Sequence, residues 1–263
     1  MIYLITVLIP TYNNFNSFLK TVNSYYSDKR VKIIVSDDST NNIVKNKIKN
    51  FCINKNIKYI NGPQKLPVQN WNSLMKMIDT EFFVINHHDD YPCNLKFLDS
   101  LVTNRTGLMI LPVTSFARGK SAHKIYSWQQ LLFSKICLMA LNPSFNMFLS
   151  PTASLIINSK AKDIFFDENL KWFVDCEWYS RILSKIIQNK LNVVFFNKSR
   201  VISIQAKNSI TYSMKNKLKE QIKLDKDYLN AKGYIPNKAI VSIQYIFLIF
   251  VLSITKFKQY FLN

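Results

Sequence analysis

A chain of 263 residues with 48% hydrophobic and 14% aromatic residues is long enough to bury a substantial core and too apolar to be disordered. Its four glycines form neither GxGxxG nor GxxxxGK[ST], which excludes the Rossmann and P-loop phosphate cradles. The formal net charge of +19 predicts an anionic partner: nucleic acid, an anionic membrane surface or a phosphorylated substrate. The alternative is a compositional drift toward lysine with no specific partner.

The cysteines and the N-terminus indicate a cytosolic protein. The cysteines are widely spaced and form no CxxC or paired Cys/His motif, which favours four buried, reduced thiols over a zinc site or a disulfide framework. They are Cys52, Cys93, Cys137 and Cys176. The chain begins directly in an apolar run with no basic segment or small-residue cleavage site, which predicts a first strand and no signal peptide.

Strands and helices alternate in the first ninety residues. Apolar runs predict strands at 3–9, 31–36, 57–60 and 82–86, and apolar residues at 3- and 4-residue spacing predict helices at 15–26, 41–54 and 67–79. This alternation predicts an α/β fold with a mainly parallel central sheet flanked by helices.

Polar side chains follow three of these strands. Thr11 and Tyr12 follow the first, Asp37 and Asp38 the second, and the segment His87–Asp90 the fourth. Ligands of parallel sheets bind beyond the carboxyl ends of the strands, so these clusters are expected to converge on one edge. Paired carboxylates at this edge suit a Mg²⁺ or Mn²⁺ ion that also binds a phosphate. The alternative is that Asp89 and Asp90 are solvated residues of a turn before Pro92.

The second half is mixed and no linker separates it from the first. Strands are predicted at 108–112, 153–157, 193–196 and 201–204, and helices at 128–140, 175–187 and 213–232. Residues 1–235 are therefore interpreted as one domain, and residues 236–263 as an apolar and basic C-terminal helix. The uncharged stretch 239–255 spans ~26 Å as a helix, which is short of a ~30 Å hydrocarbon core. It is either an interfacial helix or a helix packed on the domain or in a dimer.

The motifs resemble a known family when taken together. They are Val7–Asn13, Ile33–Thr40, Asn70–Asn72, His87–Asp90, Phe166–Leu170 and Asp175–Arg181. In order and over roughly residues 3–212, they resemble the inverting family 2 glycosyltransferases of GT-A fold, especially bacterial members that build surface polysaccharides. Three departures stand out: Val174 replaces the common Glu, Trp71 replaces the common Arg, and no His precedes Thr211.

The resemblance implies a role for each site residue. The nucleotide would contact Pro10, Thr11, Tyr12, Asp37, Asn72, His87 and His88. Asp89 would bind Mn²⁺ or Mg²⁺, Asp175 would be the general base, and Asp90, Glu177 and Arg181 would lie near the donor or acceptor. The alternatives are a core tyrosine at Tyr12, a helix N-cap at Asp37 and a helix N-terminal acid favoured by the dipole at Asp175.

The function predicted from residues and resemblance is a metal-dependent hexosyltransferase that uses a nucleotide sugar, with UDP as the favoured nucleotide. Its acceptor would be a lipid-linked oligosaccharide of O-antigen, lipopolysaccharide or capsule synthesis, at the inner face of the cytoplasmic membrane. One alternative is a non-catalytic relative that binds sugar nucleotides. Another is a basic nucleic-acid-binding protein, which the burial of most aromatics in predicted strands and helices disfavours.

Overall fold

The computed structural model describes residues 3–102, 105–117, 120–124, 151–204 and 217–234. The strands are β1 (Ile5–Thr11), β2 (Val31–Asp37), β3 (Lys58–Asn61), β4 (Phe82–Ile85), β5 (Asp90–Pro92), β6 (Thr106–Ile110), β7 (Val113–Ala117), β8 (Lys120–Lys124), β9 (Leu155–Asn158), β10 (Asn192–Phe195) and β11 (Val201–Ile204). The helices are α1 (Phe15–Tyr25), α2 (Asn42–Asn54), α3 (Pro67–Met75), α4 (Phe97–Leu101), α5 (Val174–Gln188) and α6 (Leu218–Ala231), with short 3₁₀ helices at Thr152–Ser154 and Ser159–Ala161.

The central sheet has seven strands in the order β10-β6-β9-β4-β1-β2-β3. Its neighbours run parallel except at β9, which is antiparallel to both β4 and β6. The predicted α/β fold with a mainly parallel central sheet is therefore confirmed.

A second sheet of four strands, β5-β11-β7-β8, was not predicted. The short strand β5 pairs antiparallel with β11, so Asp90 lies in a strand and not in a solvated turn. Hydrophobic periodicity and composition could not predict strand β5, because three residues are too few to show an alternating pattern.

Asparagines determine where the first two helices begin. The Asn14 side chain accepts a hydrogen bond from the Ser17 amide at the start of α1, and Asn41 caps α2 in the same way. Helix α3 ends at Met75, four residues earlier than the predicted end at 79. Ile78 nevertheless remains buried, which accounts for the apolar pattern beyond the helix.

The core has two layers, one on each face of the central sheet. Ile5, Val7 and Ile9 of β1 pack on the layer that contains α1, whereas Leu8 packs on the layer that contains α3 and α5. Each such side chain contributes roughly 1.5–3 kcal/mol when fully buried. With both faces covered, the edge where the strands end is left to present polar groups.

The described cysteines differ in exposure. Cys93 is exposed, so the prediction of four buried thiols is wrong for this residue; it follows the end of β5, where the chain turns outward. Cys52 and Cys176 are buried. Cys137, the predicted helix 128–140 and the C-terminal segment 236–263 lie outside the described residues. Within the described ranges, no helix is long and apolar enough to cross a membrane.

Candidate active site

Strands β1, β2 and β4 end at the same edge of the central sheet. Thr11 pairs with Asp37 across β1 and β2, and the amide of Asn86, which follows β4, donates to the Leu8 carbonyl. The three polar clusters predicted to converge are therefore neighbours. They form one continuous polar edge, which we call the strand-end site (residues 10–13, 37–40 and 86–90).

The β1 end of this site is a loop fixed by its own side chains. Asn13 has a left-handed φ of 50°, and its side-chain oxygen accepts the amides of Thr40 and Asn41. Pro10 and Thr11 are buried in β1, while Tyr12 is 49% exposed beside Thr40. Tyr12 is thus no core tyrosine: its ring is available to stack on a base.

The second cluster contains two acids, Asp37 and Asp38, which lie in different surroundings. Asp37 is fully buried, and its carboxylate accepts the Ser39 amide at 2.8 Å and the Tyr59 hydroxyl at 3.2 Å. It is not the cap of α2, because Asn41 holds that position. A carboxylate has about four acceptor positions, so Asp37 retains capacity for a ligand N–H.

Asp38 lies against a glycine that leaves room for it. Burial raises the pKa of the Asp38 carboxyl, and a hydrogen bond from the Gln64 amide partly offsets this effect. A Cβ at Gly62 would lie 2.1 Å from Asp38 Oδ1, so any larger residue would displace the acid.

Buried hydrogen bonds hold the third cluster, which turns sharply after β4. The side-chain nitrogen of Asn86 donates to the backbone carbonyls of His87 and Asp90. Its side-chain oxygen accepts a hydrogen bond from the Tyr25 hydroxyl at 2.7 Å. Thr21 donates to the carbonyls of His88 at 2.9 Å and Asp90 at 2.8 Å. These bonds fix the direction in which the turn presents its side chains.

The two imidazoles of this turn are neutral near pH 7. Burial lowers the pKa of both His87 and His88, and the adjacent Asp89 carboxylate offsets this only in part. The Nε2 atom of His87 is buried and has no hydrogen-bond partner among the described residues. A neutral imidazole in this state can bind a metal or donate to a phosphate.

A row of aromatic rings joins this turn to α5. The Trp71 ring centroid lies 4.9 Å from that of His87 and 5.1 Å from that of Phe166. Phe166 in turn stacks on Trp178 of α5, with centroids 4.2 Å apart. The segment that leads into α5 is therefore linked to the strand-end site through Trp71 of α3.

Asn72 strengthens the same connection. Its side-chain oxygen accepts the Phe166 amide at 2.8 Å, and its nitrogen donates to the Phe166 carbonyl and to Glu168. The residue that the resemblance places at the nucleotide thus uses its amide to tie α3 to the segment before α5.

Asp175 lies in the first turn of α5 and is only partly exposed. Its Oδ1 atom is buried, and no described residue donates to it. Burial raises the pKa of this carboxyl from 3.8 to about 6. A carboxylate with one oxygen that no described residue binds, and with a pKa close to neutral, is suited to accept a proton from a substrate hydroxyl.

Glu177, in the same first turn of α5, forms an ion pair with Arg181 one turn further along. Arg181 donates from Nε and Nη2 to the two oxygens of the buried Glu177 carboxylate, at 2.6 and 2.7 Å. Nη2 also donates to the Phe165 carbonyl, and the Tyr234 hydroxyl donates to Glu177. Both side chains therefore hold the surroundings of α5 together, whatever else they contact.

Comparison with known proteins identifies the fold and the family. The sequence model described as Glycosyl transferase family 2 matches residues 6–135, which include the whole strand-end site. S. aureus TarS, solved in complex with UDP-GlcNAc, superposes with a TM-score of 0.56 at 18% identity, over 80% of this chain and 61% of that one.

A second solved structure has the same fold. The mannosyltransferase PcManGT from Pyrobaculum calidifontis, in complex with GDP-Man and Mn²⁺, gives a TM-score of 0.52 at 11% identity, over 81% of this chain and 59% of its own. The chain thus spans about 60% of the length of these two structures, and 37% of a longer TarS structure. No curated protein sequence matches it.

This chain belongs to glycosyltransferase family 2. Its seven-stranded sheet flanked by helices is the GT-A fold of that family.

The acidic turn of this family 2 chain offers limited protein ligands for a metal. In the part of the chain that the structure describes, no three His, Cys, Asp or Glu side chains are grouped to hold an ion. Asp89, however, is half-buried on a turn whose backbone carbonyls are held by Asn86 and Thr21. Mg²⁺-type ions commonly use one or two carboxylates and take their other ligands from phosphate and water, so these residues fit an ion of that kind.

Several residues of the site were missed by sequence analysis. Asn86, Thr21 and Tyr25 shape the acidic turn, but each lies in or next to a regular element and has an ordinary structural interpretation. Only the position of Asn86 at a strand end, before two histidines, gave any signal. Residues 205–216, which include the stretch before Thr211, lie outside the described ranges.

Proposed function

We propose that this chain is an inverting hexosyltransferase that moves a hexose or N-acetylhexosamine from a nucleotide sugar, UDP-linked, to a hydroxyl group of a lipid-linked oligosaccharide. The observation that carries the proposal is Asp175: its Oδ1 is buried with no partner among the described residues, its pKa is raised to about 6, and the segment before its helix is linked through Trp71 to the strand-end site of a GT-A fold.

The strand-end site supports nucleotide binding. The exposed ring of Tyr12 would stack on the base, and Asp37 would accept the imide N–H of uracil. Pro10 and Thr11 shape this end of the site, and Asn72 supports it from α3. His87 would donate to the phosphates as a neutral imidazole, and His88, which is held by a hydrogen bond to the Pro10 backbone, would contact the nucleotide beside it. TarS and PcManGT, which share the fold, were solved with UDP-GlcNAc and GDP-Man respectively.

A divalent cation, Mn²⁺ or Mg²⁺, would bind at Asp89 and neutralise the charge of the departing nucleoside diphosphate. Asp90, the next residue, is buried at the start of β5 and would lie near the donor. Metal use by PcManGT, which contains Mn²⁺, supports this assignment by fold similarity.

Asp175 would act as the general base. It would take the proton from the acceptor hydroxyl as that oxygen attacks the anomeric carbon from the face opposite the phosphate. A single displacement of this kind inverts the anomeric centre, and it requires no nucleophile from the protein. Such a base typically contributes about 10²–10⁴-fold to the rate.

The acceptor is proposed from charge and resemblance. A net charge of +19 suits an enzyme whose acceptor and surroundings are anionic, as are a lipid-diphosphate oligosaccharide and the inner face of a bacterial membrane. O-antigen, lipopolysaccharide or capsule synthesis at that surface would supply both, with the basic C-terminal segment as a peripheral contact.

A second candidate is a non-catalytic relative that binds sugar nucleotides. The same strand-end site favours it, since nothing in base or phosphate recognition requires Asp175. The two candidates differ in turnover, because only the enzyme cleaves the donor.

A donor screen tests the proposal. Purified protein is incubated with Mn²⁺ and a panel of UDP-, GDP- and dTDP-sugars, and nucleotide release is followed with and without chelator. We expect one UDP-sugar to be cleaved by the wild type and not by Asp89→Ala, whereas Asp99→Ala, which removes an exposed surface acid, retains activity. Nucleotide binding without release from any donor would favour the non-catalytic candidate.

A further inference from the structure

Helix α6 carries a buried carboxylate that the proposed mechanism does not use. Asp225 is 1% exposed and accepts backbone amide hydrogens from Trp172 at 2.7 Å, Phe173 at 2.9 Å and Lys171 at 3.2 Å. The Gln221 side chain donates to its other oxygen at 2.7 Å. Four N–H groups therefore surround this buried carboxyl group and use its acceptor positions.

The position of these amides gives the contact its significance. Phe173 is the residue immediately before α5, so Asp225 binds the backbone that enters this helix. Phe173 provides no side-chain cap, and Asp225 instead accepts the amide of Phe173 and those of the two residues before it. Hydrogen bonds to a charged acceptor are about twice as strong as neutral ones. The chain is thus fixed two residues before Asp175.

The same helix binds the preceding loop at a second point. Tyr228 and Lys232 both donate to Asp167, with the Lys232 Nζ at 2.5 Å and the Tyr228 hydroxyl at 3.0 Å. Burial opposes ionisation of Asp167, yet hydrogen bonds from Lys232, Asn169 and Tyr228 outweigh it and lower its pKa to about 2. Helix α6 therefore holds both ends of the 167–173 loop.

We propose that Asp225 is a positioning residue for Asp175: it fixes the backbone at 171–173 so that the general base keeps its place at the acceptor. This role rests on the proposed function, since it requires Asp175 to act as the base. Asp225 itself would touch neither donor nor acceptor. Its loss should lower turnover while nucleotide affinity, which depends on the strand-end site, stays the same.

The contact between Asp225 and the backbone at 171–173 can be measured without an activity assay. Hydrogen–deuterium exchange is compared for wild type, Asp225→Asn and the control Asp227→Asn, which alters an exposed acid two residues away on the same helix. We expect faster exchange of the 171–173 amides in Asp225→Asn alone. Unchanged exchange there would overturn the proposal. Asn keeps the shape of Asp, so folding is expected to be retained where Ala would risk it.

The catalytic consequence is measured with the donor found by the screen. A displacement of about 1 Å can cost about 100-fold in rate, so we expect Asp225→Asn to lower kcat at least tenfold. We expect UDP affinity within twofold of wild type, and Asp227→Asn to match wild type in both. Equal kcat for the two variants, in an active enzyme, would overturn the positioning role. An inactive wild type would instead contradict the proposed function, and the exchange experiment would still report on the contact.

Discussion

Replacing Asp175 by Asn should make the protein more stable at neutral pH. Burial raises the pKa of this carboxyl from 3.8 to about 6, so the folded protein binds its proton more tightly than the unfolded chain does. Above pH 6 the group is ionised in both states, and ionisation in the buried site opposes folding. Below pH 3.8 it is protonated in both states and the penalty disappears.

The size of this penalty follows from the two pKa values. The interval between 3.8 and about 6 corresponds to about 3 kcal/mol at 1.36 kcal/mol per pKa unit. Because the side chain is only partly enclosed, water reduces this figure, and we expect a gain of about 1–3 kcal/mol in the variant at pH 7.5. About half of the gain should remain at pH 5, where the folded protein is mostly protonated at this site.

Urea denaturation at pH 7.5 and pH 5, with wild type and Asp175→Asn in parallel, measures the effect. Subtracting the change in unfolding free energy at pH 5 from the change at pH 7.5 cancels any pH-independent effect of the introduced amide. Asp227→Asn serves as the control. A helix N-terminal acid favoured by the dipole would behave in the opposite way, with a loss of about 0.3–1 kcal/mol at pH 7.5. Such a loss, shrinking toward low pH, would refute the reasoning.

Three further substitutions test the site. Tyr12→Ala should weaken UDP binding about tenfold in calorimetry, because base stacking on an aromatic ring contributes about 1–3 kcal/mol. Thr21→Val should lower the free energy of unfolding in urea by about 1–3 kcal/mol, because the His88 carbonyl loses the Thr21 hydroxyl as donor and the Asp90 carbonyl is left with the Asn86 side chain. Glu177→Gln should lower it by about 2–3 kcal/mol, because Arg181 loses its charged acceptor.

Each of these has a clear contrary result. Unchanged UDP affinity in Tyr12→Ala would remove this ring from the nucleotide site. Full stability of Thr21→Val would mean that the acidic turn needs no support from α1. If Glu177→Gln kept its stability and lost only turnover, Glu177 would act on substrate and not within its ion pair.

The first half of the fold was predictable because its signals are local. Apolar runs of strand length alternate with helical periodicity between residues 5 and 85, and Asn14 and Asn41 mark helix starts with ordinary capping chemistry. The parallel sheet then brings Thr11 beside Asp37 by register alone. Neither step depends on contacts between distant residues.

The rest depends on such contacts. Strand β5 exists because β11, more than a hundred residues later, pairs with it. The buried state of Asp37 and the role of Asn86 follow from neighbours on other strands and helices. The contact of Asp225 could not be predicted from the sequence, in which this residue is one acid in a lysine-rich helix. Only the fold brings it to the amides before α5.

The central claim is that nucleotide binding and base catalysis reside in separate parts of one site. The most direct measurement is the turnover of the preferred donor by Asp175→Asn, with its UDP affinity determined on the same preparation. We predict a fall in kcat of about 10²–10⁴-fold with UDP affinity within twofold of wild type. Undiminished turnover in a folded variant would contradict the claim, because the sugar would then be transferred without Asp175.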